Sequence, residues 1–352
     1  MYILAINPGS TSTKIAIYNN EEQVLRKNIQ HNADELAAYG EVTEQYAFRK
    51  QLVMNELAKL DSSIVLSAVI GRGGLAKPVE GGVYEVTPRM IEMTRQAKYK
   101  HVCDLGCLMA YEIAKEIPGC QCYIADPGMV DEMNPYARIS GSPLLPRVCL
   151  WHALNQRAIA RRFAKEHGSR YEDLRLIICH LGGGISIAAH DHGRAVDANN
   201  ALDGEGPFGP ERTGSLPVAD LVRLCFSGKY TESELLNHIS RRGGVMAYLG
   251  TNDMIKNVES VKNGDKKAEL IVNAMIYDTA KFIASYTPVL HGEVDAIILT
   301  GGLAFSDYIV SGLKERLSFI APIHVYPGED EMEALALNAL DALQGNTEVK
   351  EY

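Results

Sequence analysis

The fold is decided by the stretch ILAINPGSTSTKIAI at residues 3–17. An apolar run leads into a polar residue, then a tight turn containing glycine, then a second apolar run. The stretch LIICHLGGGISIA at residues 176–188 has the same design and lies about 170 residues later. Aligning Asn7 with His180 places the turn glycines opposite one another. The period is too long for a solenoid. The repeated design predicts an internal duplication into two α/β lobes. Each lobe would begin with a β-hairpin, and both hairpin turns would face a shared cleft.

The glycine turns indicate anion binding. Glycine lets backbone N–H groups approach an anion closely, and successive N–H groups form a concave site. A third turn occurs in DAIILTGGLA at residues 295–304, where a strand ends at Thr300 and the glycines lead into a helix. A helix N-terminus there would hold a phosphate or pack against a nucleoside, with simple close packing as the alternative. No G-x4-G-K-[ST] motif occurs, so these turns are not a Walker A loop.

Bulk properties exclude several classes of protein. The 352 residues suit two domains, and the net charge of -9 argues against a nucleic-acid surface. No apolar run of 18 residues predicts a membrane span, and the start of the chain lacks the features of a signal peptide. The seven cysteines do not have zinc-site spacing. We expect buried thiols in a cytoplasmic protein.

Strand and helix patterns alternate along the chain, which predicts parallel or mixed sheets with helices on both faces. Further strands are expected at 64–70, 83–86, 122–125, 194–198, 295–299 and 322–326. Helices are expected at 33–60, 88–98, 105–117, 152–167, 217–227, 232–240, 266–290 and 331–343. The stretch 134–147 is expected to cross between the lobes, and residues 345–352 to form a frayed tail.

The chain resembles the acetate and butyrate kinase family in four motifs. They are INPGSTSTK at 6–14, ICHLGGGISIA at 178–188, DANNALDGEGPFGPERTGSLP at 197–217 and LTGGLA at 299–304. The resemblance extends from residue 2 to about residue 340. Further motifs favour the butyrate branch: GRGG at 71–74 with GGVYEV at 81–86, DPGMVDEM at 126–133 and WHALNQRAIAR at 151–161.

The resemblance implies an α/β fold of two duplicated actin-like ATPase lobes, each a mixed sheet flanked by helices, around a central nucleotide cleft. Residues 1–150 with the C-terminal helix at about 331–352 would form the acyl-substrate lobe, and residues 151–330 the nucleotide lobe. The implied reaction is reversible, ATP-dependent phosphorylation of butyrate or a branched-chain relative to its acyl phosphate and ADP, with Mg²⁺, in a homo-oligomer. The alternatives are an acetate or propionate kinase, or a non-catalytic actin-like ATPase module.

Four residues match positions of the family that handle substrate and transition state. A carboxylate is already an ionised nucleophile, so the reaction needs alignment and charge stabilisation rather than a strong base. The resemblance assigns Asp126, His152 and Arg212 to catalysis, and Arg72 to the carboxylate, which its planar fork fits bidentately. Trp151 is a candidate wall of the acyl pocket. The structural alternatives are a turn cap for Asp126, a helix cap or packing residue for His152, a salt bridge to Glu211 or Glu205 for Arg212, and a surface arginine for Arg72.

The resemblance also implies a metal site and a nucleotide site. Asn7 and Glu331 match residues associated with magnesium. Glu329, Asp330 and Glu333 crowd around Glu331, so that assignment is open by a position or two, and a solvated helix start is the alternative. The phosphates would be approached by Ser10, Ser12, Lys14, His180, Gly182, Gly183 and Gly184. The adenosine would be bordered by Asn252, Asp253, Thr300, Gly301, Gly302 and Leu303.

Three positions depart from the family pattern. Trp151 stands where phenylalanine is expected, Gly183 where acetate kinases have asparagine, and Asp104 where butyrate kinases have asparagine. The pair His190 and His192 has metal-like spacing, but we expect both in a hairpin turn at the solvent.

Overall fold

The computed structural model describes residues 1–97 and 101–352. The strands are β1 (Tyr2–Pro8), β2 (Ser12–Asn19), β3 (Glu22–Gln30), β4 (Leu66–Arg72), β5 (Val83–Glu85), β6 (Gln121–Ala125), β7 (Arg175–Leu181), β8 (Ile185–Asp191), β9 (Arg194–Ala198), β10 (Ala296–Gly301), β11 (Ile323–Pro327) and β12 (Val349–Lys350). The α-helices are α1 (Ala33–Ala37), α2 (Tyr46–Leu57), α3 (Pro88–Gln96), α4 (Asp104–Ala114), α5 (Ala153–Glu166), α6 (Val218–Cys225), α7 (Glu232–Ser240), α8 (Gly244–Leu249), α9 (Met254–Lys262), α10 (Lys266–Ser285), α11 (Asp307–Leu317) and α12 (Glu331–Gln344). Residue 98, the last of the predicted helix 88–98, lies outside the described residues.

The chain divides into two compact units. Unit 1 contains Met1–Asp131, Ala153–Ala158 and Asp330–Tyr352, and unit 2 contains Glu132–His152 and Ile159–Glu329. Relative to the expected boundaries, residues 132–150 belong to unit 2 and the first six residues of α5 belong to unit 1.

Hydrogen bonds explain why the segment before α5 belongs to unit 2. The Asn134 amide donates to the Val196 carbonyl at 2.8 Å, and Arg147 Nε donates to Glu205 Oε1 at 2.6 Å. Arg147 also pairs with Asp197 at 3.0 Å. This segment is therefore tied to β9 and the loop that follows it.

Unit 1 is built on a seven-stranded mixed sheet in the order β12-β5-β6-β4-β1-β2-β3. Its central strands β1, β4 and β6 are parallel and largely buried, as expected for strands covered on both faces. One face packs against apolar side chains of α12, including Leu335 and Leu340, and the other against those of α4, including Leu105 and Leu108. The sheet is thus flanked by helices.

Unit 2 is built on a five-stranded sheet in the order β11-β10-β7-β8-β9. Helices α10 and α11 cover one face through residues such as Val272 and Leu313. Ile159 and Phe163 of α5 pack with Leu176 and Ile298 in a second cluster. No helix in the described part of the chain is long and apolar enough to cross a membrane.

The two sheets share a substructure, which confirms the predicted duplication. The order β4-β1-β2-β3 in unit 1 repeats as β10-β7-β8-β9 in unit 2, with the same parallel and antiparallel pairings. Asn7 is the penultimate residue of β1, as His180 is of β7. Equivalent residues therefore stand at the mouth of each hairpin turn.

The expectation of a frayed C-terminal tail is wrong. Strand β12 pairs in parallel with β5. The Tyr352 hydroxyl accepts a hydrogen bond from the Lys77 amide at 3.1 Å, and its ring packs edge-on against Tyr84. The segment is polar, so its sequence did not indicate that Val349 and Lys350 form the edge strand of the sheet.

Candidate active site

The first hairpin turn connects β1 to β2 in unit 1. Asn7 pairs with Lys14 in the strand register, and the Gly9 amide donates to the Ser12 carbonyl at 2.7 Å to close the turn. Ser10 is exposed, and Ser12 and Lys14 are partly exposed. The three side chains expected to approach phosphates are therefore accessible on one hairpin.

Arg72, Asn7 and Glu331 meet at one edge of the unit 1 sheet. Strands β1 and β4 are parallel with Ile6 opposite Gly71, so the residues that follow, Asn7 and Arg72, lie side by side. Glu331 Oε2 accepts from Asn7 Nδ2 at 2.5 Å and from Arg72 Nη1 at 2.9 Å. Arg72 Nη1 also lies 3.5 Å from Asn7 Oδ1. Three candidates drawn from distant parts of the chain thus form one cluster.

Burial sets the character of this cluster. Glu331 is 3% exposed although it begins α12, so it is not part of a solvated helix start. A buried carboxylate requires compensation, and the Arg72 guanidinium and Asn7 amide supply it. A guanidinium has five N–H donors, so one arginine can bind more than one acceptor.

Asp126 follows directly on β6 and holds both a turn and an arginine. Its Oδ1 accepts from the Gly82 amide at 2.8 Å and pairs with Arg157 Nε at 2.9 Å. The residue is 2% exposed and has a positive φ of 39°. Asp126 therefore caps the turn and pairs with an arginine through the same carboxylate oxygen.

Arg157 carries no sequence signal beyond its place in the WHALNQRAIAR motif. It lies on α5, is 7% exposed and packs against the turn that Asp126 caps. A Cβ built on Gly81 would lie 2.6 Å from Arg157 Nη1, so only glycine leaves room for the guanidinium. The Gly81-Gly82 pair is explained by this contact and by the φ of 138° at Gly82, a conformation that favours glycine.

The second hairpin turn, in unit 2, packs against the loop that carries Arg212. A Cβ on Gly184 would lie 2.6 Å from Arg212 Cζ, and one on Gly183 would lie 3.0 Å from Glu211 Oε1. Arg212 Nη1 donates to the Ala201 carbonyl at 2.8 Å. The glycines therefore serve a close approach of side chains as well as of backbone.

His152 and His180 form a stacked pair in unit 2. Their ring centroids are 3.8 Å apart and their planes differ by 9°. His152 Nδ1 lies 2.8 Å from Ser186 Oγ, and His180 Nε2 lies 3.2 Å from Glu329 Oε1. His180 is fully buried, and His152 is partly exposed. The stack and the serine fix the orientation of the more accessible ring.

The third glycine turn follows β10. Gly301 has a φ of 88°, and a Cβ there would lie 2.6 Å from the Leu181 carbonyl oxygen, so glycine is required. Its amide and carbonyl exchange hydrogen bonds with Gly328, and Thr300 Oγ1 donates to the Gly328 carbonyl. A Cβ on Gly302 would meet no atom within 4 Å among the described residues. Close packing therefore explains Gly301, whereas Gly302 borders open space, and Leu303 follows it in a short 3-10 helix.

Asn252 and Asp253 lie just before α9. Asn252 Nδ2 donates to Glu211 Oε2 at 2.9 Å, which links it to the Arg212 loop. Asp253 caps α9 by accepting from the Ile255 and Lys256 amides. The hydrogen bond from the Lys256 amide is the main cause that lowers the pKa of Asp253. A capping role accounts for Asp253 in this structure.

Trp151 lies in the interior of unit 2. It is 5% exposed and packs edge-on against His190, with ring centroids 5.6 Å apart. His190 is fully buried and lies 2.7 Å from the Tyr171 hydroxyl, so the expectation that it faces solvent is wrong. His192 does lie in the turn between β8 and β9, with a φ of 48°.

Asp104 uses its carboxylate structurally. Its Oδ1 accepts from the Leu75 amide at 2.8 Å and its Oδ2 from the His101 amide at 2.7 Å. An asparagine offers one side-chain oxygen and could satisfy only one of these amides without rearrangement. This contact gives the departure at position 104 a physical reason.

The fold is that of solved acetate kinases. The chain matches the crystal structure of acetate kinase from Porphyromonas gingivalis with a TM-score of 0.79 and 18% identity, covering 97% of this chain and 99% of that one. At this identity the likeness shows the fold alone. It defines the class: an α/β protein with the two duplicated units of the actin-like ATPase fold.

The sequence comparisons are more specific. Residues 147–319 match the model of the Acetokinase family. The chain is 59% identical to a probable butyrate kinase of Bacteroides thetaiotaomicron, over the full length of both chains. It is 49% identical to butyrate kinase 2 of Clostridium acetobutylicum, covering 99% of each. The chain belongs to the acetokinase family and is a kinase with a carboxylic acid as phosphoryl acceptor.

Proposed function

We propose that this protein transfers the γ-phosphoryl group of ATP to butyrate, or to a neighbouring acid of four to five carbons, and that the reaction is reversible. The observation that carries the proposal is full-length similarity to proteins named butyrate kinase, at 59% and 49% identity. The acetate and propionate kinases of known structure match at 14–18% identity, so the acetate or propionate alternative fits less well. A non-catalytic module would not need the cluster that Arg72, Asn7 and Glu331 form in unit 1.

The acid side of the reaction is assigned to Arg72. A guanidinium binds a carboxylate bidentately, and this one is already oriented by Asn7 and Glu331. No proton needs to be removed from the acid, because its carboxylate is ionised at neutral pH. Holding the acid in a fixed orientation supplies much of the rate enhancement.

The phosphoryl side is assigned to Arg212 and His152, which stabilise charge on the group in transfer. Arg212 is held by the Ala201 carbonyl and the glycine turn, and His152 by Ser186 and the His180 ring. Groups fixed in this way need no reorganisation during the reaction. Asp126 acts through Arg157, and we propose that it positions this arginine rather than accepting a proton.

The nucleotide is assigned to the three glycine turns. Its phosphates would be bound by Ser10, Ser12 and Lys14 of unit 1 and by His180 and Gly182–Gly184 of unit 2. Its adenosine would be bordered by Thr300–Leu303 with Asn252 and Asp253. The open space beside Gly302 supports this assignment. Trp151 as a wall of the acyl pocket stays a prediction.

Magnesium fits the Asn7 and Glu331 pair. Glu331 Oε1 is buried and has no hydrogen-bond partner in residues 1–97 and 101–352. The described residues hold no cluster of three or more histidine, cysteine or acidic side chains suited to a metal. Mg²⁺ keeps several waters and takes few protein oxygens, so two oxygen-bearing side chains suffice. When bound, the ion would neutralise charge on the phosphates.

A homo-oligomer in the cytoplasm completes the proposal. Helix α6 buries none of its residues in the described chain. Its first residue, Val218, is 71% exposed, and Phe226, which follows its last residue, is 88% exposed. No disulfide links cysteines of the described residues, which suits a reducing compartment. Light scattering on wild type and Phe226→Asp tests the assembly; a monomeric wild-type protein would overturn this part.

A hydroxamate assay tests the reaction. Hydroxylamine traps an acyl phosphate as a coloured hydroxamate, so kcat/KM is measured with ATP and Mg²⁺ for acetate, propionate, butyrate, isobutyrate, valerate and isovalerate. Each buried methylene contributes about 0.8 kcal/mol, so butyrate should exceed acetate by about 15-fold. If acetate has the highest kcat/KM, the proposed acid is wrong. If none of the acids gives a hydroxamate, the proposed reaction is wrong.

A further inference from the structure

Arg49, on α2, is a buried cation beneath the first hairpin turn. It is 1% exposed. Its Nη1 donates to the carbonyls of Gly9 at 2.7 Å and Ser12 at 3.1 Å, and its Nη2 donates to the carbonyl of Ser10 at 3.1 Å. One guanidinium therefore binds three of the four carbonyls in the turn. No feature of the sequence around residue 49 indicates this contact.

The charge of Arg49 has no carboxylate to neutralise it among the described residues. Its side-chain partners are neutral: Gln45 Oε1 accepts from Nε at 3.2 Å and from Nη2 at 2.9 Å, and Thr13 Oγ1 accepts from Nη1 at 3.3 Å. Burial lowers the pKa of Arg49 to about 10, which still leaves it charged at neutral pH. Buried charges are normally paired, so this arrangement is costly unless an anion compensates it.

The guanidinium also determines which way the turn presents its N–H groups. In a trans peptide the N–H points opposite to the carbonyl, and the described chain contains no cis peptide bond. Because the carbonyls of Gly9 and Ser10 point to Arg49, the amides of Ser10 and Thr11 point away from it. Neither amide donates to any acceptor in the described residues, and both residues are exposed. Two neighbouring N–H groups are thus available to an anion.

We propose that Arg49 is a positioning residue for ATP: it holds the turn with its amides outward and supplies the positive charge that favours the phosphates of a nucleoside triphosphate. The inference rests on the proposed function, in which this turn binds those phosphates. Arg49 itself is covered by the turn and acts through the backbone and through its field. A change at Arg49 should therefore weaken binding of the nucleotide and leave binding of the acid unchanged.

Gln45→Glu separates the charge of Arg49 from its geometry. The change is nearly isosteric and keeps both acceptor contacts, but it adds a carboxylate directly against the guanidinium. A purely structural arginine would gain a partner, and ATP binding would be unchanged. A phosphate-directed charge would be neutralised, so we expect Kd and KM for ATP to rise about 10-fold, with KM for butyrate changed less than about 2-fold.

Gln51→Glu is the matched control. It makes the same substitution on the exposed side of α2, the helix that carries Arg49, where Gln51 binds only Asn55 among the described residues. We expect wild-type constants. Arg49→Lys is the second test, because lysine keeps the charge but lacks the planar fork that binds several carbonyls. We expect it to raise KM for ATP by about 10-fold or more, again sparing the acid.

The measurements are isothermal titration of ATP without the acid, steady-state kinetics with butyrate, and a thermal melt of each variant. The expected result is weaker ATP binding in folded Gln45→Glu at an unchanged or raised Tm. If Gln45→Glu binds ATP like Gln51→Glu, or loses affinity for ATP and acid equally, the inference is overturned. If Arg49→Lys fails to fold, Gln45→Glu still decides. Wild-type protein that binds ATP yet forms no acyl phosphate would instead refute the proposed function.

Discussion

Substitution of Gly184 by alanine should disable catalysis without unfolding the protein. The added Cβ would lie 2.6 Å from Arg212 Cζ and 2.7 Å from its Cδ, closer than non-bonded carbon atoms approach one another. The obstructed group is the end of a long side chain, so Arg212 can move and leave the backbone in place. The clash is therefore relieved by displacement of the guanidinium.

The magnitude follows from what Arg212 is assigned to do. Loss of one preorganised donor to a transition state costs about 2.7–4 kcal/mol, or 10² to 10³ in kcat. We expect Gly184→Ala to lower kcat about 100-fold. KM for ATP should change less than about 3-fold, because a contact specific to the transition state is lost rather than a ground-state contact. The free energy of unfolding should fall by less than about 1 kcal/mol.

The assay is steady-state kinetics on Gly184→Ala, Arg212→Ala and the double variant, with urea unfolding of each. Since Gly184→Ala acts through Arg212, the double variant should be no slower than Arg212→Ala. Gly141→Ala is the control, because its Cβ would meet no described atom within 4 Å. A kcat within about 3-fold of wild type, or effects that multiply in the double variant, would refute the reasoning. A large rise in KM for ATP would show that the methyl group blocks the nucleotide instead.

Three further predictions concern stability. Asp126→Ala leaves Arg157 buried without this partner and should cost about 3–5 kcal/mol in urea unfolding; a loss below about 1 kcal/mol would contradict the pairing. Tyr352→Ala should cost about 1–3 kcal/mol in a thermal melt, whereas an unchanged Tm would mean that the terminus is frayed after all. Burial, followed by the charge of Arg49, lowers the pKa of His31 from 6.5 to about 4, so the fold favours its neutral form. Its stabilisation is complete above pH 6.5 and is lost as pH falls toward 4. Between pH 7 and pH 4.5, the Tm of His31→Gln should therefore fall by less than the Tm of wild type. An equal fall in both proteins would show that His31 is not the cause of the pH dependence.

Local patterns in the sequence were sufficient for the frame of the fold. The expected strands at 64–70, 83–86, 122–125, 194–198, 295–299 and 322–326 overlap β4, β5, β6, β9, β10 and β11. The two glycine hairpins and their duplication were also predicted correctly, since turn chemistry and apolar runs are local properties of the chain. Strand β3 was missed because its EQVLRKNIQ sequence is polar and exposed at a sheet edge. Helices α8, α9 and α11 lie outside the expected helix ranges as well.

The candidate site shows where local patterns stop. The sequence motifs proposed Arg72, Asp126, Arg212 and His152 as candidates, but motifs do not specify the partner of a side chain. Arg72 meets Glu331 across 259 positions of sequence. Such a pair exists only because β1, β4 and the start of α12 converge at one edge of a sheet.

Arg49 shows most clearly what the sequence determined and what required the tertiary structure. The sequence determined that residues 9–12 form a turn, because glycine and small hydroxylated residues separate two apolar strands. Only the tertiary structure decided which way the peptide groups of that turn point, because a guanidinium on α2, 37 to 40 positions away, binds their carbonyls. Hydrogen bonds of this kind depend on how the chain returns on itself, and spacing along the sequence does not encode that path.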